Sequence, residues 1–359
     1  MGAGRPRSEN GFPLSRCFPR PSNHSFSEYF MVDAALSPHA TLALNSARLR
    51  RSLRADQIFQ RLTFCCALLV LVIFAGIIWA LVDGALPAIR AFGFAFLWTE
   101  VWNPVTERFG GLAPIAGTLI TSFLAMLVAI PVGIGIAIFL TEICPRPLRR
   151  PIGIAIELLA GIPSIIYGIW GLFVLAPMLQ QSVMPPVIDA FAGIPVLSSL
   201  FAGPPYGIGI FTAALILSIM TIPFISAITR DVFETVPPVL KEAAYGLGAT
   251  TWEVLWNVVL PYTRGGVVGG IMLALGRALG ETMAVTFVIG NAHRISASLF
   301  APGTTISAAI ANEFTEAIGE LYLPALVELG LVLFFVTFCV LALAQYMLYR
   351  LEQRAGGRS

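Results

Sequence analysis

Six stretches of apolar sequence, each long enough to cross a lipid bilayer, constrain this chain more than any other feature. They lie near residues 62–82, 113–141, 153–178, 207–229, 265–290 and 323–348. A membrane-spanning helix needs about 20 apolar residues. Only 12% of the 359 residues are charged, against about 25% in a typical globular chain. The sequence therefore predicts an all-α integral membrane protein with six transmembrane helices.

The remaining segments complete the predicted organisation. Residues 1–60 are polar and rich in Pro, Ser and Arg, which predicts a disordered tail, with Met31 as an alternative start. Residues 61–350 form the predicted membrane domain, and residues 351–359 form a short second tail. Within the domain, the apolar segment 179–206 is rich in Pro and Gly, and we expect it to lie on or dip into the membrane surface.

Basic residues are distributed unevenly between the two sides of the predicted bundle. One set of loops and tails carries fourteen of them: Arg48, Arg50, Arg51, Arg54, Arg61, Arg146, Arg149, Arg150, Arg230, Lys241, Arg264, Arg350, Arg354 and Arg358. The opposite loops carry three: Arg90, Arg108 and Arg294. Because cytoplasmic loops carry an excess of Lys and Arg, this asymmetry predicts that both termini are cytoplasmic.

The loop at residues 236–261, on the basic side, predicts a short helix, a glycine turn and a second helix. Gly248 is suited to the turn, because glycine accepts left-handed backbone angles. Thr250 with Glu253 three residues later is a capping box, which marks the start of the second helix. We expect Pro261 to end that helix. Two short helices in one membrane-protein loop indicate a rigid surface for a partner.

Arg277 and Glu281 lie within the fifth apolar stretch. Residues four apart share one helix face, and an ionisable side chain at the bilayer centre costs about 2.5–3.5 kcal/mol, so this placement needs a reason. One interpretation is an ion pair that only locks helix packing. The other is a polar station on a transport path, since the planar guanidinium donates in a fork that matches an oxyanion such as phosphate or sulfate.

Several other polar residues at membrane depth are candidates for the same path. The hydroxyl-bearing ones are Thr118, Ser122, Ser164 and Thr282. Hydroxyls in membrane helices also commonly bond their own backbone, so both interpretations stay open. Glu157 and Glu328 have no obvious partner in the sequence, and we expect them to serve helix packing.

The composition excludes several kinds of activity. Lys241 is the single lysine and is followed by Glu, so the chain lacks the Gly-Lys-Ser/Thr of a phosphate-binding loop. We therefore expect no ATPase site of its own, and any ATP hydrolysis would belong to a separate chain. The three histidines and five cysteines show no metal-ligand spacing, and no basic run suits nucleic acid. We expect no catalytic site, no metal and no cofactor.

The loop also resembles the "EAA" loop of ABC-importer permeases. The matching residues are Glu242, Ala243, Ala244, Gly248, Val258, Leu260 and Pro261, with Val258 where isoleucine is commoner. The resemblance implies six helices of the ABC-importer permease type, with this loop as the cytoplasmic coupling helix that docks on the ATPase subunit.

Three further segments resemble the PstC-type permeases of bacterial phosphate ABC importers. They are RALGETMAV at 277–285, GIPSIIYGIWGLF at 161–173 and FGGLAPIAGTLITS at 109–122. The resemblance implies phosphate import across the bacterial inner membrane. It also implies a PstA-type partner permease, two copies of an ABC ATPase and a periplasmic phosphate-binding protein. The alternatives are a permease for another oxyanion such as sulfate or molybdate, or an ion-coupled secondary carrier, which would usually show inverted repeats and no EAA loop.

Overall fold

The structure is a computed structural model that describes residues 38–356, with side chains described for 56–194 and 198–350. Contacts divide the chain into two units, residues 1–75 and residues 76–359. The described part of the first unit is helical, and the second unit contains all the contacts discussed below.

The described residues form helices joined by turns and loops, with one isolated β-bridge between Asn103 and Arg108. The helices are α1 (Pro38–Phe92), α2 (Leu112–Ile143), α3 (Arg146–Ala160), α4 (Ser164–Phe191), α5 (Pro195–Leu200), α6 (Ile210–Glu234), α7 (Pro238–Gly246), α8 (Thr251–Leu279), α9 (Met283–Thr286), α10 (Ile306–Glu313) and α11 (Tyr322–Gly356). A short 3₁₀ segment, Gly93–Leu97, follows α1.

Six of the helices in the described part of the chain are long and apolar enough to cross a membrane. These spans are Asp56–Leu97, Leu112–Ile143, Ser164–Phe191, Ile210–Glu234, Thr251–Leu279 and Tyr322–Arg350. The prediction of an all-α protein with six membrane helices is therefore confirmed.

The first helix begins earlier than the sequence pattern indicates. It starts at Pro38, so residues 38–60 of the expected disordered tail are helical here. This stretch is rich in Ala, Leu and Arg, which are strong helix formers, and that accounts for the difference. The rest of the tail, with Met31, lies outside the described residues, as do residues 357–359.

The third span is displaced relative to the prediction of 153–178. Helix α3 ends at Ala160, and a new helix, α4, begins at Ser164 after Pro163. Proline disfavours helical angles in the residue before it, which explains the break. The Tyr167 hydroxyl donates to the Leu159 carbonyl at 2.8 Å, so an acceptor freed by the break is satisfied. The span then continues to Phe191, which makes residues 179–191 of the expected surface segment part of a long helix.

The second loop helix does not end at Pro261, and that expectation is wrong. It continues as α8 to Leu279, with a π-helical turn at Leu255–Val259 that ends two residues before the proline. Proline has no N–H to donate, so it is tolerated best in the first turn of a helix. The π-helical turn ends at Val259, and Pro261 is the second residue of the α-helical segment that follows it. The second loop helix and the fifth span are consequently one continuous helix, Thr251–Leu279.

Close packing of α2, α6 and α8 forms the centre of the second unit. A Cβ on Gly133 of α2 would lie 2.8 Å from the side chain of Ile225, and one on Gly270 of α8 would lie 2.6 Å from that of Ile228. Glycine lets the helices approach this closely, as in other membrane bundles. We call the end of the bundle that carries α3 and α7 the basic end, and the other the opposite end.

Candidate functional site

The Arg277 region differs from the expected arrangement. Helix α8 ends at Leu279, and Gly280 has backbone angles of −95° and 2°, so Glu281 lies beyond the helix. The prediction that Arg277 and Glu281 share a helix face is therefore wrong. Glycine is a poor helix former, and its place after Leu279 was the signal for this end.

Arg277 is exposed, and its guanidinium makes no hydrogen bond or ion pair with the described residues. Glu281 instead accepts a hydrogen bond from the Ala284 N–H at 3.4 Å, at the start of α9. The two side chains do not neutralise each other. Within the described part of the chain, the arginine has no ion-pair partner, and the residues of α8 between Arg264 and Arg277 are uncharged.

The hydroxyls predicted on α2 hold the bundle together in this structure. Ser122 is buried and donates to the Ala278 carbonyl at 3.3 Å, which ties α2 to the last turn of α8. Thr118 donates to the Pro114 carbonyl at 2.8 Å and accepts from the Ile306 N–H at 3.0 Å. Both hydroxyls have protein partners, and Ser122 places α2 directly beside the residue that follows Arg277.

Ser164 and Thr282 lie on neighbouring elements. Ser164 is the first residue of α4 and is half-buried, and α4 packs against α9. A Cβ on Gly168 would lie 3.0 Å from the Met283 carbonyl oxygen, which shows how close the two helices are. Thr282 donates to the Gly280 carbonyl at 3.3 Å. The structure therefore brings α2, α4 and α9 around the end of α8 that carries Arg277.

The loop at the basic end has the predicted turn. Gly248 has φ +87°, its N–H donates to the Tyr245 carbonyl at 2.9 Å, and the Ala249 N–H donates to the Ala244 carbonyl at 3.2 Å. These two hydrogen bonds form a Schellman motif, with Gly248 in the left-handed position. The predicted turn is confirmed.

The predicted capping box is also confirmed. The Glu253 N–H donates to the Thr250 hydroxyl at 3.3 Å, and the Thr250 N–H donates to the Glu253 carboxylate at 2.8 Å. Apolar side chains on this rigid turn are exposed, among them Leu247 at 90% and Trp252 at 64%. Such a surface suits docking against another protein.

An ion pair that the sequence analysis did not predict joins this loop to the second span. Lys241 Nζ lies 2.6 Å from Glu142 Oε1, and the Glu142 side chain is only 8% exposed. The two residues are 99 positions apart, so no local spacing connects them. The sequence offered one hint of this pair, namely that the single lysine of the chain stands next to the EAA residues.

A polar cluster at the opposite end was also missed. Glu313 of α10 accepts from the Trp102 indole at 2.6 Å and from the Tyr322 hydroxyl at 2.8 Å, and lies 2.6 Å from His293 Nε2. Burial by itself would raise the pKa of Glu313. The hydrogen bonds and charge of its neighbours, His293 first, outweigh it and lower the pKa below its ordinary value. The cluster ties two loops to the start of α11.

The two other glutamates that the sequence predicted within spans, Glu157 and Glu328, differ in their surroundings. Glu157 lies on α3, outside the six candidate spans, so its expected place in the third span is wrong. It pairs with Arg230 of α6 at 2.6 Å, which joins two helices, as its expected packing role requires. Glu328 is buried in α11, and its Oε2 has no hydrogen-bond partner among the described residues.

Comparisons with known proteins match this architecture. Residues 129–356 match the family described as "Binding-protein-dependent transport system inner membrane component". The chain is 66% identical to the "Phosphate transport system permease protein PstC" of Mesorhizobium japonicum, over 88% of this chain and 97% of that one. It is 58% identical to the protein of the same description from Pasteurella multocida, over 84% and 94%.

Among solved structures, it resembles a chain of a bacterial alginate ABC transporter in complex with a periplasmic protein carrying an alginate pentasaccharide. The TM-score is 0.55 at 17% identity, over 85% of this chain and 98% of that one. This likeness shows a shared fold.

Proposed function

Because this chain belongs to the family of binding-protein-dependent transport system inner membrane components, we propose that it is the permease subunit of an ATP-driven importer that moves inorganic phosphate across the inner membrane. The observation that carries this proposal is the high identity to phosphate transport permeases over most of the chain. The segments that imply phosphate, around Arg277 and Gly161, lie within that shared length.

The anion path is formed with a second, PstA-type permease subunit. Arg277 is exposed at the end of α8 and has no compensating carboxylate among the described residues, so its charge is available at a subunit interface. A guanidinium there can donate two parallel hydrogen bonds to phosphate oxygens. Glu281, Thr282, Thr118, Ser122 and Ser164 belong to the same region, with Thr118 and Ser122 holding the helices in place around it.

Transport is powered by a separate ATPase, two copies of which dock on the loops of the permease pair. The docking residues are Glu242, Ala243, Ala244, Gly248, Leu260 and Pro261. The exposed apolar side chains on the loop support this role. Lys241, the single lysine of the chain, is ion-paired to Glu142, which leaves no lysine for a phosphate-binding loop of this subunit.

Both termini and the basic end face the cytoplasm, and a phosphate-binding protein docks at the opposite end from the periplasm. The excess of basic residues supports this orientation. Single-cysteine labelling tests it, with cysteine placed at Asp189 or at the exposed Leu247 in a variant that lacks the five native cysteines. An impermeant reagent added to intact cells should label position 189 only. The reverse result would overturn the orientation.

The function is tested by uptake in a bacterial strain that lacks its own high-affinity phosphate system. Cells that express this chain with its neighbouring transporter subunits should accumulate radiolabelled phosphate, and a tenfold excess of sulfate or molybdate should leave the rate unchanged. Cells that lack only this chain provide the matched control. Uptake of sulfate instead of phosphate would overturn the substrate, and equal phosphate uptake without the chain would overturn its role as a permease subunit.

A further inference from the structure

A basic groove lies between α3 and α6, and neither Arg277 nor any residue of the loop at 236–261 lines it. Its cavity is about 410 Å³. Four arginines and two glutamates line it, which leaves an excess of two positive charges: Arg146, Arg149, Arg150, Arg230, Glu157 and Glu234. The proposed transport function uses none of these residues.

The arginines differ in how far the protein neutralises them. Arg230 lies against Gly153 and pairs with Glu157 at 2.6 Å and with Asp231 at 2.8 Å. Arg149 donates from one Nη to the Thr141 carbonyl, but its buried Nε has no hydrogen-bond partner among the described residues.

Two of the arginines, Arg146 and Arg150, are exposed and have no partner in the described part of the chain. The guanidinium groups of Arg146 and Arg150 are therefore available to a ligand in the groove, whereas that of Arg230 is held by its two ion pairs. Such a groove suits an anion with several acceptor oxygens.

The other face of α3 is apolar and exposed. Leu148, Leu158 and Leu159 are 51%, 69% and 42% exposed, with Pro151 and Ala155 between them on the same face. A helix that is basic on one side and apolar on the other lies in the membrane interface, with its apolar face in the acyl chains. At the cytoplasmic side, this placement puts the groove at the level of the lipid headgroups, where anionic lipids attract clustered arginines.

We propose that the groove between α3 and α6 binds the phosphate group of an anionic phospholipid in the cytoplasmic leaflet. Arg146 and Arg150 contact the headgroup phosphate, and the apolar face of α3 packs against the acyl chains of the same and neighbouring lipids. Free inorganic phosphate has the same chemistry but no acyl chains, and the apolar flank favours the lipid. The site requires the cytoplasmic placement of the basic end, but it does not depend on which anion the transporter carries.

The test uses the purified, assembled transporter in a neutral detergent. Dioctanoyl phosphatidylglycerol, dioctanoyl phosphatidylcholine and inorganic phosphate are titrated separately, and binding is followed by the shift in thermal unfolding. The wild-type protein should be stabilised by phosphatidylglycerol and not by phosphatidylcholine. The double variant Arg146→Gln/Arg150→Gln should bind phosphatidylglycerol about thirtyfold more weakly, since each basic residue near an anionic surface contributes about 1 kcal/mol.

The matched control is Arg264→Gln, which removes an exposed arginine at the basic end outside the groove and should leave lipid binding unchanged. Neither altered arginine has an internal partner, so the double variant should fold, and its unfolding temperature without lipid verifies this. Equal phosphatidylglycerol binding by wild type and double variant would overturn the site. Stabilisation by inorganic phosphate alone, lost in the double variant, would replace the lipid by a free anion. Equal stabilisation by phosphatidylcholine would show that headgroup charge is not recognised.

Discussion

The left-handed turn at Gly248 allows a sharp test of the docking loop, because a second glycine two residues away provides the control. Gly248 has φ +87°, whereas Gly246 is the last residue of helix α7. A Cβ added at either position would meet nothing within 4 Å. The variants Gly248→Ala and Gly246→Ala therefore add the same methyl group in open space and differ in the backbone conformation that it must accept.

The expected energies have opposite signs. An L-residue in the left-handed region costs about 1–2 kcal/mol. Gly248→Ala should therefore either destabilise the loop by this amount or change the backbone of the turn. Alanine in a helix is favoured over glycine by about 0.5–1 kcal/mol, so Gly246→Ala should stabilise α7. The two variants should then differ by about 1.5–3 kcal/mol in the stability of the native loop, or about 10- to 150-fold in the equilibrium constant for its formation.

The assay is the affinity of the purified permease pair for its ATPase, with phosphate uptake measured in the same strains. Gly248→Ala should weaken ATPase binding by about 5- to 30-fold and lower uptake, with normal amounts of the protein in the membrane. Gly246→Ala should bind and transport at least as well as wild type. Native affinity and uptake for Gly248→Ala, or an equal loss for both variants, would refute the role of the left-handed turn.

Three further variants test other contacts. Arg277→Lys keeps the charge but loses the planar fork, so phosphate uptake should fall about tenfold or more at unchanged membrane levels, and unchanged uptake would remove Arg277 from the path. Lys241→Met should lower the free energy of unfolding by about 1–3 kcal/mol, because it leaves the carboxylate of Glu142 without its partner. Exchanging the two residues should recover part of this loss, and an exchange that adds to the loss would contradict the ion pair. His293 and the other donors lower the pKa of Glu313 in the folded protein. The ionised carboxylate therefore stabilises the fold above its unfolded pKa of about 4.3, and this stabilisation is lost as the pH falls from there through the lower pKa of the folded state. Glu313→Gln should flatten the acid side of the thermal-stability profile, and an unchanged profile would contradict this.

Local chemistry predicted the loop well. The left-handed position of Gly248 and the reciprocal bonds of Thr250 and Glu253 depend on residues at most five apart, and the structure has both. The number of spans was equally clear, because length and apolar content decide it, although the third span lies further along the chain than predicted.

The errors arose where one local signal competed with another. Pro261 was expected to stop a helix, but the π-helical turn before it lets the helix continue past a residue that has no N–H to donate. Arg277 and Glu281 have helical spacing, but Gly280 ends the helix between them. The ion pair of Lys241 with Glu142 and the cluster around Glu313 join distant segments, and no pattern within a single segment contains that information.

Because α8 is one continuous helix, a tilt at its start is transmitted as a larger displacement at its end. Its 29 residues, which include the π-helical turn at Leu255–Val259, form one helix from the loop at 236–261 to Arg277 and Leu279. At about 1.5 Å per residue, the 26 steps from Thr251 to Arg277 span about 39 Å, so a tilt of about 5° at the loop would move the arginine by about 3 Å. That displacement is comparable to the length of a hydrogen bond. In the importer proposed above, a tilt of this size imposed on the loop by the ATPase would therefore be enough to make or break a hydrogen bond between Arg277 and phosphate, with no change inside the helix itself.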